Sequence, residues 1–521
     1  MGAVDALALC WALARVLSLS QAAVALTLCR WLLGLERVGS LLELGRRCVT
    51  AGAAACFRHT WLPEKRRAFQ LLAMSEQWLA RRDLGVVLEE LRAQGAVQGL
   101  WVRPASQRPG ERELWVLYVH GGAMVAGASG MYARSFTRLV QQLQALGVSA
   151  RLLSVEYPLA PEQPHPAALQ ATLAAWRHLL ECSKQGQGKA CYAIMGDSAG
   201  GNLALACLMA LHEQSQPQPQ PNCPHQPGQT QTPPTQTSPT QQPAIQTRPQ
   251  LVGAVLISPW LDLSPSSHSH IHCGSRWLPP PPTTPHIWPC TRQGLPPPSP
   301  RPLPSHPAGP LPGASQDCPC WAAQRQRLAA DMLTPGDLRH CAELYAPGRL
   351  GSRLVSPAVA PGSDTQRVLR EMVAQPVLVL AGGEEIMLPD IQRWADSVNQ
   401  PYTPLGRAAQ RHAAAVAMQA LGAVPGQSAT QDLAAANGKV AAQDMAPGSH
   451  TAAAANGTAA GIAMDGSGGA KGAAEQVVQQ VVDLQVVAGA VHVYPLLPGH
   501  GPHWAAVGRY LASCVAAAAA G

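Results

Sequence analysis

The sequence lacks the pattern of a nucleic-acid-binding protein. Its formal net charge of +7 is spread over 521 residues, and no basic run is interleaved with the aromatic residues, which make up only 5% of the chain. Binding to nucleic acid depends on clustered Lys and Arg side chains, with aromatic rings that stack on bases. The composition therefore gives no support for nucleic acid as a partner.

The sequence also lacks the cysteine spacing of a zinc site. None of the 14 cysteines forms a C-x-x-C pair, which is the usual arrangement of such ligands. His270, His272 and Cys273 form one loose group, and Cys318 with Cys320 forms another. Both groups lie in a Pro-rich stretch, and we expect no metal there. Scattered cysteines favour reduced thiols and a cytosol-facing or mixed context, although a luminal domain also fits.

No uninterrupted hydrophobic run is long enough for an unambiguous membrane span. The most apolar stretch, residues 6–35, is divided by Arg15 and Arg30. The part between them falls short of the roughly 20 residues that a spanning helix needs. Three interpretations stay open: a membrane anchor, a targeting peptide, or an amphipathic helix that covers a binding site. We expect membrane association, with the endoplasmic reticulum as the candidate compartment and a cytoplasmic or organelle-targeted protein as the alternative.

Three stretches of low complexity interrupt the chain. Residues 214–249 are rich in Pro, Gln and Thr, residues 265–325 in Pro, Ser and His, and residues 405–475 in Ala, Gly and Gln. Such segments cannot bury enough apolar surface to offset the entropy of ordering them. We expect disordered loops, although retained non-coding sequence would look the same. The expected organisation is a hydrophobic segment, residues 1–60, followed by one interrupted domain, residues 61–521.

The most informative motif is GDSAG, residues 196–200, which follows the short apolar run 192–195 and precedes a helix-like run. This pattern is typical of a nucleophile elbow, in which Ser198 occupies a strained turn between a strand and a helix. The turn needs small neighbours. The start of the helix directs backbone N–H groups, including that of Ala199, towards negative charge in front of the serine.

A second glycine motif lies upstream of the elbow. The strand-like run 114–119 ends in HGGAM, residues 120–124. Glycines at the end of a strand leave N–H groups free to approach a ligand closely, which an oxyanion hole requires. The pattern predicts Gly121 and Gly122 as donors, together with Ala199.

The order of the motifs resembles that of a known family. HGG is followed by YPLAPEQPHPAAL at residues 157–169 and by GDSAGGNLA at residues 196–204, with further echoes at residues 257–263 and 354–357. This order is similar to that of the hormone-sensitive-lipase-like group of α/β-hydrolases, of the carboxylesterase and deacetylase type. The resemblance implies a mostly parallel sheet with helices on both faces and an N-terminal helical cap. It also implies a serine esterase without metal or organic cofactor.

Two details of the resemblance concern the first motif. The family's common third glycine is Ala123 here, and we expect its N–H to stay available if the local backbone does not require a positive φ. His120 in such proteins holds the loop. Upstream of this motif, residues 65–100 have apolar residues at roughly helical spacing, with Gly85 as an interruption, and they match the position of the cap.

The resemblance implies the chain order serine, acid, histidine. The strand-like run 484–487 leads through a glycine turn to His492, which we predict as the general base. Two further histidines, His500 and His503, are rivals that follow a second turn.

The acid is expected after the apolar run 376–381. Glu385 is the first choice by its position in the family pattern. Glu384 and Asp390 are the alternatives, and a surface position is the expectation for Glu384.

These residues predict a serine hydrolase that cleaves short-chain or lipophilic carboxylic esters through an acyl-enzyme. A non-catalytic ligand receptor with the same fold is an alternative, but the presence of His492 favours an enzyme. A hydrolase of amides or lactones is a second alternative, because the same residues would serve it.

Overall fold

The computed structural model describes most of the predicted domain. The described residues are 21–29, 62–83, 85–92, 97–108, 110–184, 190–216, 251–264, 333–401, 480–488, 490–496 and 501–520, with the single residues Ser18, Cys48, Arg327 and Asp331. The three predicted low-complexity loops therefore lie almost wholly outside the described residues, as do the candidate metal ligands.

The chain divides into two units. The first comprises residues 1–399 and 480–521, and the second comprises residues 400–479. Only Gln400 and Pro401 of the second unit are described. All the elements below belong to the first unit.

An eight-stranded sheet forms the centre of the described structure, with the strand order β1-β2-β4-β3-β5-β6-β7-β8. The pairs β1–β2 and β2–β4 are antiparallel, and every other neighbouring pair is parallel. The strands are β1 Val86–Arg92, β2 Gln98–Pro104, β3 Arg112–Val119, β4 Val148–Glu156, β5 Cys191–Asp197, β6 Gly253–Ile257, β7 Val377–Gly382 and β8 Val482–Val487.

Helices cover both faces of the sheet. They are α1 Leu62–Ala80, α2 Ala133–Ala145, α3 Ala167–Ser183, α4 Ala199–Gln214, α5 Pro335–Tyr345, α6 Gly362–Met372, α7 Leu388–Asn399 and α8 Gly501–Ala520, with 3₁₀ turns at Pro357–Val359 and Tyr494–Leu496. Buried residues of α3, α4, α6 and α7 share one core with the sheet, while those of α2 and α8 share the other. The predicted α/β-hydrolase architecture is confirmed.

Residue patterns explain why these elements form. In β3 every residue after Arg112 is buried, as expected for a parallel strand that has helices on both faces. Successive residues of β3, such as Leu117 and Tyr118, belong to opposite cores. In α2 the buried side chains recur at helical spacing, at Phe136, Leu139, Val140 and Leu143.

The helical interpretation of residues 65–100 is only partly correct. Helix α1 forms as expected, but β1 and β2 are antiparallel strands that extend one edge of the sheet. Gly85 has φ +93°, a conformation that ends helical geometry and that L residues rarely adopt. The β-branched pair Val86 and Val87 follows it and suits a strand.

The parallel strands bring the candidate functional segments to one edge of the sheet. Parallel strands have their carboxyl ends on the same side. The HGG loop, residues 120–124, follows β3, and Ser198 follows β5. The acidic loop, residues 383–387, follows β7, and His492 follows β8. The fold thus collects segments that are far apart in the sequence.

None of the described helices is both long enough and apolar enough to cross a membrane. Within the predicted N-terminal apolar stretch, the structure describes only Ser18 and residues 21–29.

Candidate active site

Ser198 lies in a strained turn between β5 and α4. Its backbone has φ +51° and ψ −120°, a sparsely populated conformation for a residue with a side chain. The Ser198 N–H donates to Ile257 O at 2.8 Å, and its carbonyl accepts from the Trp260 N–H at 3.0 Å. The neighbouring β6 segment therefore holds the turn on both sides.

The glycines beside Ser198 are required by close packing. A Cβ on Gly200 would collide with the carbonyl oxygens of Val119 and His120, and one on Gly196 would collide with Gly200 O. The elbow thus packs directly against the end of β3. This contact puts the HGG loop beside the serine.

The structure brings His492 to Ser198. Its Nε2 lies 2.9 Å from Ser198 Oγ, although the two residues are 294 positions apart. Both side chains are buried. Of the rival histidines, His503 lies in α8, and its ring makes an edge-to-face contact with the ring of Tyr494. His500 lies outside the described residues.

Of the three candidate acids, Glu385 is the one beside His492. Its Oε2 lies 3.4 Å from His492 Nδ1, and Glu385 is 0% exposed. The separation is an ion-pair contact that is longer than a well-formed hydrogen bond, and neither the Glu385 carboxylate oxygens nor His492 Nδ1 have a hydrogen-bond partner within the described residues. Such contacts are often long before substrate binds. Asp390 instead pairs with Arg393, and Glu384 is half-buried.

Electrostatics at the site favour the protonated imidazole. Burial lowers the pKa of His492. The Glu385 carboxylate, with smaller contributions from Asp331 and Asp197, outweighs burial, so the pKa lies above its ordinary value. A base with a raised pKa is stabilised once it has taken a proton. The site is therefore suited to accept the proton of the serine hydroxyl.

The oxyanion prediction needs a correction at Gly121. Its N–H donates to Asp197 Oδ1 at 2.9 Å, so it is not available to a ligand. The N–H groups of Gly122, Ala123 and Ala199 have no acceptor among the described residues. Of the predicted donors Gly121, Gly122 and Ala199, the last two therefore have an available N–H, and Ala123 provides a third.

The backbone at Ala123 does have a positive φ, contrary to the condition under which we expected its N–H to stay available. Its φ is +56°, and Met124 follows with φ +58°. Both lie in the small left-handed region that non-glycine residues can occupy at a cost. Alanine is accepted there, and its N–H stays without an acceptor in the described structure.

Sequence reasoning missed Asp197. Its buried carboxylate accepts hydrogen bonds from Tyr118 Oη at 2.8 Å, Tyr132 Oη at 3.0 Å and the Gly121 N–H. Burial raises the pKa of Asp197, and the hydrogen bonds from the two tyrosines and Gly121 oppose that shift. The signal was available, because a carboxylate at the buried end of a strand must find donors.

His120 contacts its own loop. Its Nδ1 lies 2.8 Å from Gly121 O, and its ring stacks on Tyr157 with centroids 4.2 Å apart. Tyr157 Oη donates to His120 O at 2.8 Å. These contacts fit the expected role in holding the loop.

Sequence reasoning also missed that Asp331 contacts the loop after β7, which carries Glu385. It is buried, and its Oδ2 accepts from the Ile386 N–H at 2.7 Å. Ile386 is adjacent to Glu385, so Asp331 fixes the backbone that carries the candidate acid. Its position directly after a long insert hid this contact from the sequence.

Comparisons with known proteins indicate the same fold. Residues 116–288 match the α/β hydrolase fold family. An acetyl-hydrolase of Streptomyces hygroscopicus is 31% identical over 188 residues, which are 36% of this chain and 48% of that protein. Human hormone-sensitive lipase is 36% identical over 111 residues, 21% of this chain and 10% of the lipase.

The chain spans about half or less of the length of these curated relatives. Among solved structures, an esterase from the bacterial hormone-sensitive lipase family aligns with 92% of this chain and 100% of its own, with 19% identity and a TM-score of 0.49.

The eight-stranded sheet, the elbow at its edge and the matched region agree with the motif order in the sequence. The chain has the α/β-hydrolase fold, and its matched region is similar to the hormone-sensitive-lipase-like group of these proteins.

Proposed function

We propose that this protein hydrolyses carboxylic esters, with Ser198 as the nucleophile. The observation that carries the proposal is the 2.9 Å contact between His492 Nε2 and Ser198 Oγ at a strained turn. A hydroxyl is a weak nucleophile at neutral pH unless a base is positioned to take its proton. A receptor that only binds a ligand needs no such base, so the contact favours an enzyme.

In the proposed mechanism, Ser198 Oγ attacks the ester carbonyl while His492 takes the hydroxyl proton. Glu385 orients the imidazole and stabilises its charged form. The N–H groups of Gly122, Ala123 and Ala199 stabilise the oxyanion. His492 then gives the proton to the leaving alcohol, and a water molecule activated by the same imidazole releases the carboxylic acid.

The names of the relatives support small or lipophilic acyl esters as substrates. The matched proteins include an acetyl-hydrolase, an esterase from Acinetobacter venetianus and a carboxylesterase from Mycobacterium tuberculosis. We therefore propose short-chain esters as the first substrates to test. The same residues would also cleave amides or lactones, which makes those compounds useful comparison substrates.

The proposal is tested with a fluorophosphonate probe and p-nitrophenyl butyrate. Ser198→Ala should abolish labelling, and His492→Ala should lower kcat by about 10⁴-fold or more. His503→Ala is the matched control for the histidine change, because His503 lies against Tyr494 and not against the serine. A wild-type protein that neither labels nor turns over ester would instead support the receptor alternative.

We also propose that the N-terminal apolar stretch, residues 6–35, attaches the protein to a membrane, with the endoplasmic reticulum as the candidate. Support comes from its composition alone. In a carbonate wash the full chain should stay with the membranes, whereas a variant without residues 1–60 should be released. Release of the full chain would leave the cytoplasmic or organelle-targeted alternative.

A further inference from the structure

Ser258 lies in a segment that contacts both reactive residues. It follows β6 directly and is fully buried. The preceding residue, Ile257, accepts the Ser198 N–H at 2.8 Å, and Trp260 donates to Ser198 O at 3.0 Å. The backbone of this segment therefore fixes the nucleophile turn.

The side chain of Ser258 faces the other reactive residue. Its Oγ accepts the N–H of Val493 at 3.0 Å, and Val493 is adjacent to His492. The Ser258 N–H donates to Leu380 O of β7 at 2.7 Å, which anchors the serine to the sheet. One short segment thus sets the position of the nucleophile through its backbone and that of the imidazole through a hydroxyl.

Val493 has an unfavourable backbone conformation. Its φ is +50°, and a β-branched residue with positive φ is a genuine outlier. Such a residue persists only where surrounding contacts determine its conformation. Val493 is buried, so its N–H would have no solvent to replace a lost acceptor.

Without the Ser258 hydroxyl, two effects act in the same direction. The buried N–H of Val493 loses its acceptor, and the strain at Val493 is relieved if φ returns to negative values. The lost hydrogen bond no longer restrains the peptide that joins Val493 to His492, and the change of φ rotates it. The imidazole would then leave its 2.9 Å contact with Ser198 Oγ.

We propose that Ser258 is a positioning residue: its hydroxyl holds Val493 in the left-handed conformation that presents His492 Nε2 to Ser198. The inference rests on the proposed ester hydrolysis and assigns Ser258 no contact with substrate. It acts through the peptide that follows His492.

The first test is Ser258→Ala with p-nitrophenyl butyrate. We expect kcat to fall about 10- to 100-fold, as for a small displacement of a catalytic group, while KM changes by about twofold or less. Ser154→Ala is the matched control. Ser154 is also fully buried, but its Oγ has no hydrogen-bond partner within the described residues, so kcat should stay within about twofold of wild type.

A rescue variant separates positioning from a general loss of stability. Glycine adopts positive φ without steric cost, so Ser258→Ala combined with Val493→Gly should recover about tenfold in kcat over Ser258→Ala alone. Val493→Ala in the same background removes the same packing but keeps a Cβ, and it should recover less. Should Ser258→Ala fail to fold, Ser258→Gly removes the hydroxyl without straining φ +45° at that position.

The outcomes are distinguishable. A Ser258→Ala protein with the kcat of the Ser154→Ala control overturns the inference while Ser198 labelling by the fluorophosphonate still supports the enzyme. Equal recovery with glycine and alanine at position 493 also overturns it, because packing would then explain the result. A wild-type protein that does not label overturns the proposed function and this inference with it.

Discussion

At the scale of single residues, the pairing of Glu385 with His492 should control the pH dependence of the proposed ester hydrolysis. Both side chains are buried, with Oε2 and Nδ1 3.4 Å apart. The carboxylate is the main reason that the pKa of His492 is raised although burial lowers it. The base must be neutral to accept a proton, so activity should rise with pH through that pKa.

Glu385→Gln should change the pH profile in a defined direction. Without the carboxylate charge, burial dominates, the pKa of His492 falls, and the acid limb of kcat/KM moves to lower pH. The maximal rate should fall by about 10³- to 10⁴-fold, because the imidazole loses the partner that orients it. Asp390→Asn is the control, since Asp390 pairs with Arg393. An acid limb that stays in place would show that Glu385 does not act on His492.

The sequence predicts the proximity of Ser198, Glu385 and His492 better than it predicts which N–H groups after β3 are free. Ser198, Glu385 and His492 each follow a strand, and parallel strands end at one edge, so their proximity follows from the order of motifs. Gly121 is different. Whether its N–H is free depends on Asp197, which approaches through tertiary packing. No local pattern in the HGG loop reveals that contact.

At the scale of elements, the side chain of Arg66 links helix α1 by hydrogen bonds to the segment that follows the HGG motif. Arg66 Nε donates to Val125 O at 2.7 Å, and a terminal nitrogen donates to Ala160 O. The same guanidinium pairs with Glu162. Val125 lies two residues after Ala123, so α1 restrains the loop that carries two of the proposed donors.

Arg66→Met should therefore weaken catalysis more than it weakens the fold. We expect kcat to fall about tenfold as the loop loosens, since small displacements of oxyanion donors are costly. Arg134→Met is the matched control. Arg134 of α2 pairs with Glu76 of α1. This change therefore loosens α1 without removing a contact to the HGG loop. Equal effects of both changes on kcat, measured at matched thermal stability, would contradict the role of Arg66.

Helices and strands can be predicted from the sequence where the apolar residues follow one periodicity. The buried run of β3 and the helical spacing in α2 each point to one structure. In β1 the residues after Gly85 alternate too irregularly to separate a strand from a helix, and pairing with β2 decides the outcome. An edge strand gains its stability from its neighbour, which a local window of sequence does not contain.

At the scale of the whole molecule, the long insert between α7 and β8 begins and ends at one place. The side chain of Asn399, the last residue of α7, accepts the N–H groups of Val481 and Val482 at 3.0 and 2.9 Å. Its Nδ2 donates to Val482 O at 2.8 Å. The two ends of the insert are therefore side by side, and a short connection can replace it.

Replacing residues 402–479 with a short Gly/Ser linker should leave the fold and the activity intact. Halving the length of a loop about four times lowers the entropic cost of closing it by about 2 kcal/mol, so Tm should rise by several degrees. The measurement is Tm together with kcat on p-nitrophenyl butyrate. The same replacement combined with Asn399→Ala is the control, and it should lose part of the gain because the hydrogen bonds that join the two ends are missing. A shortened protein that fails to fold would mean that the insert contributes to the domain, contrary to the prediction that it is a surface loop.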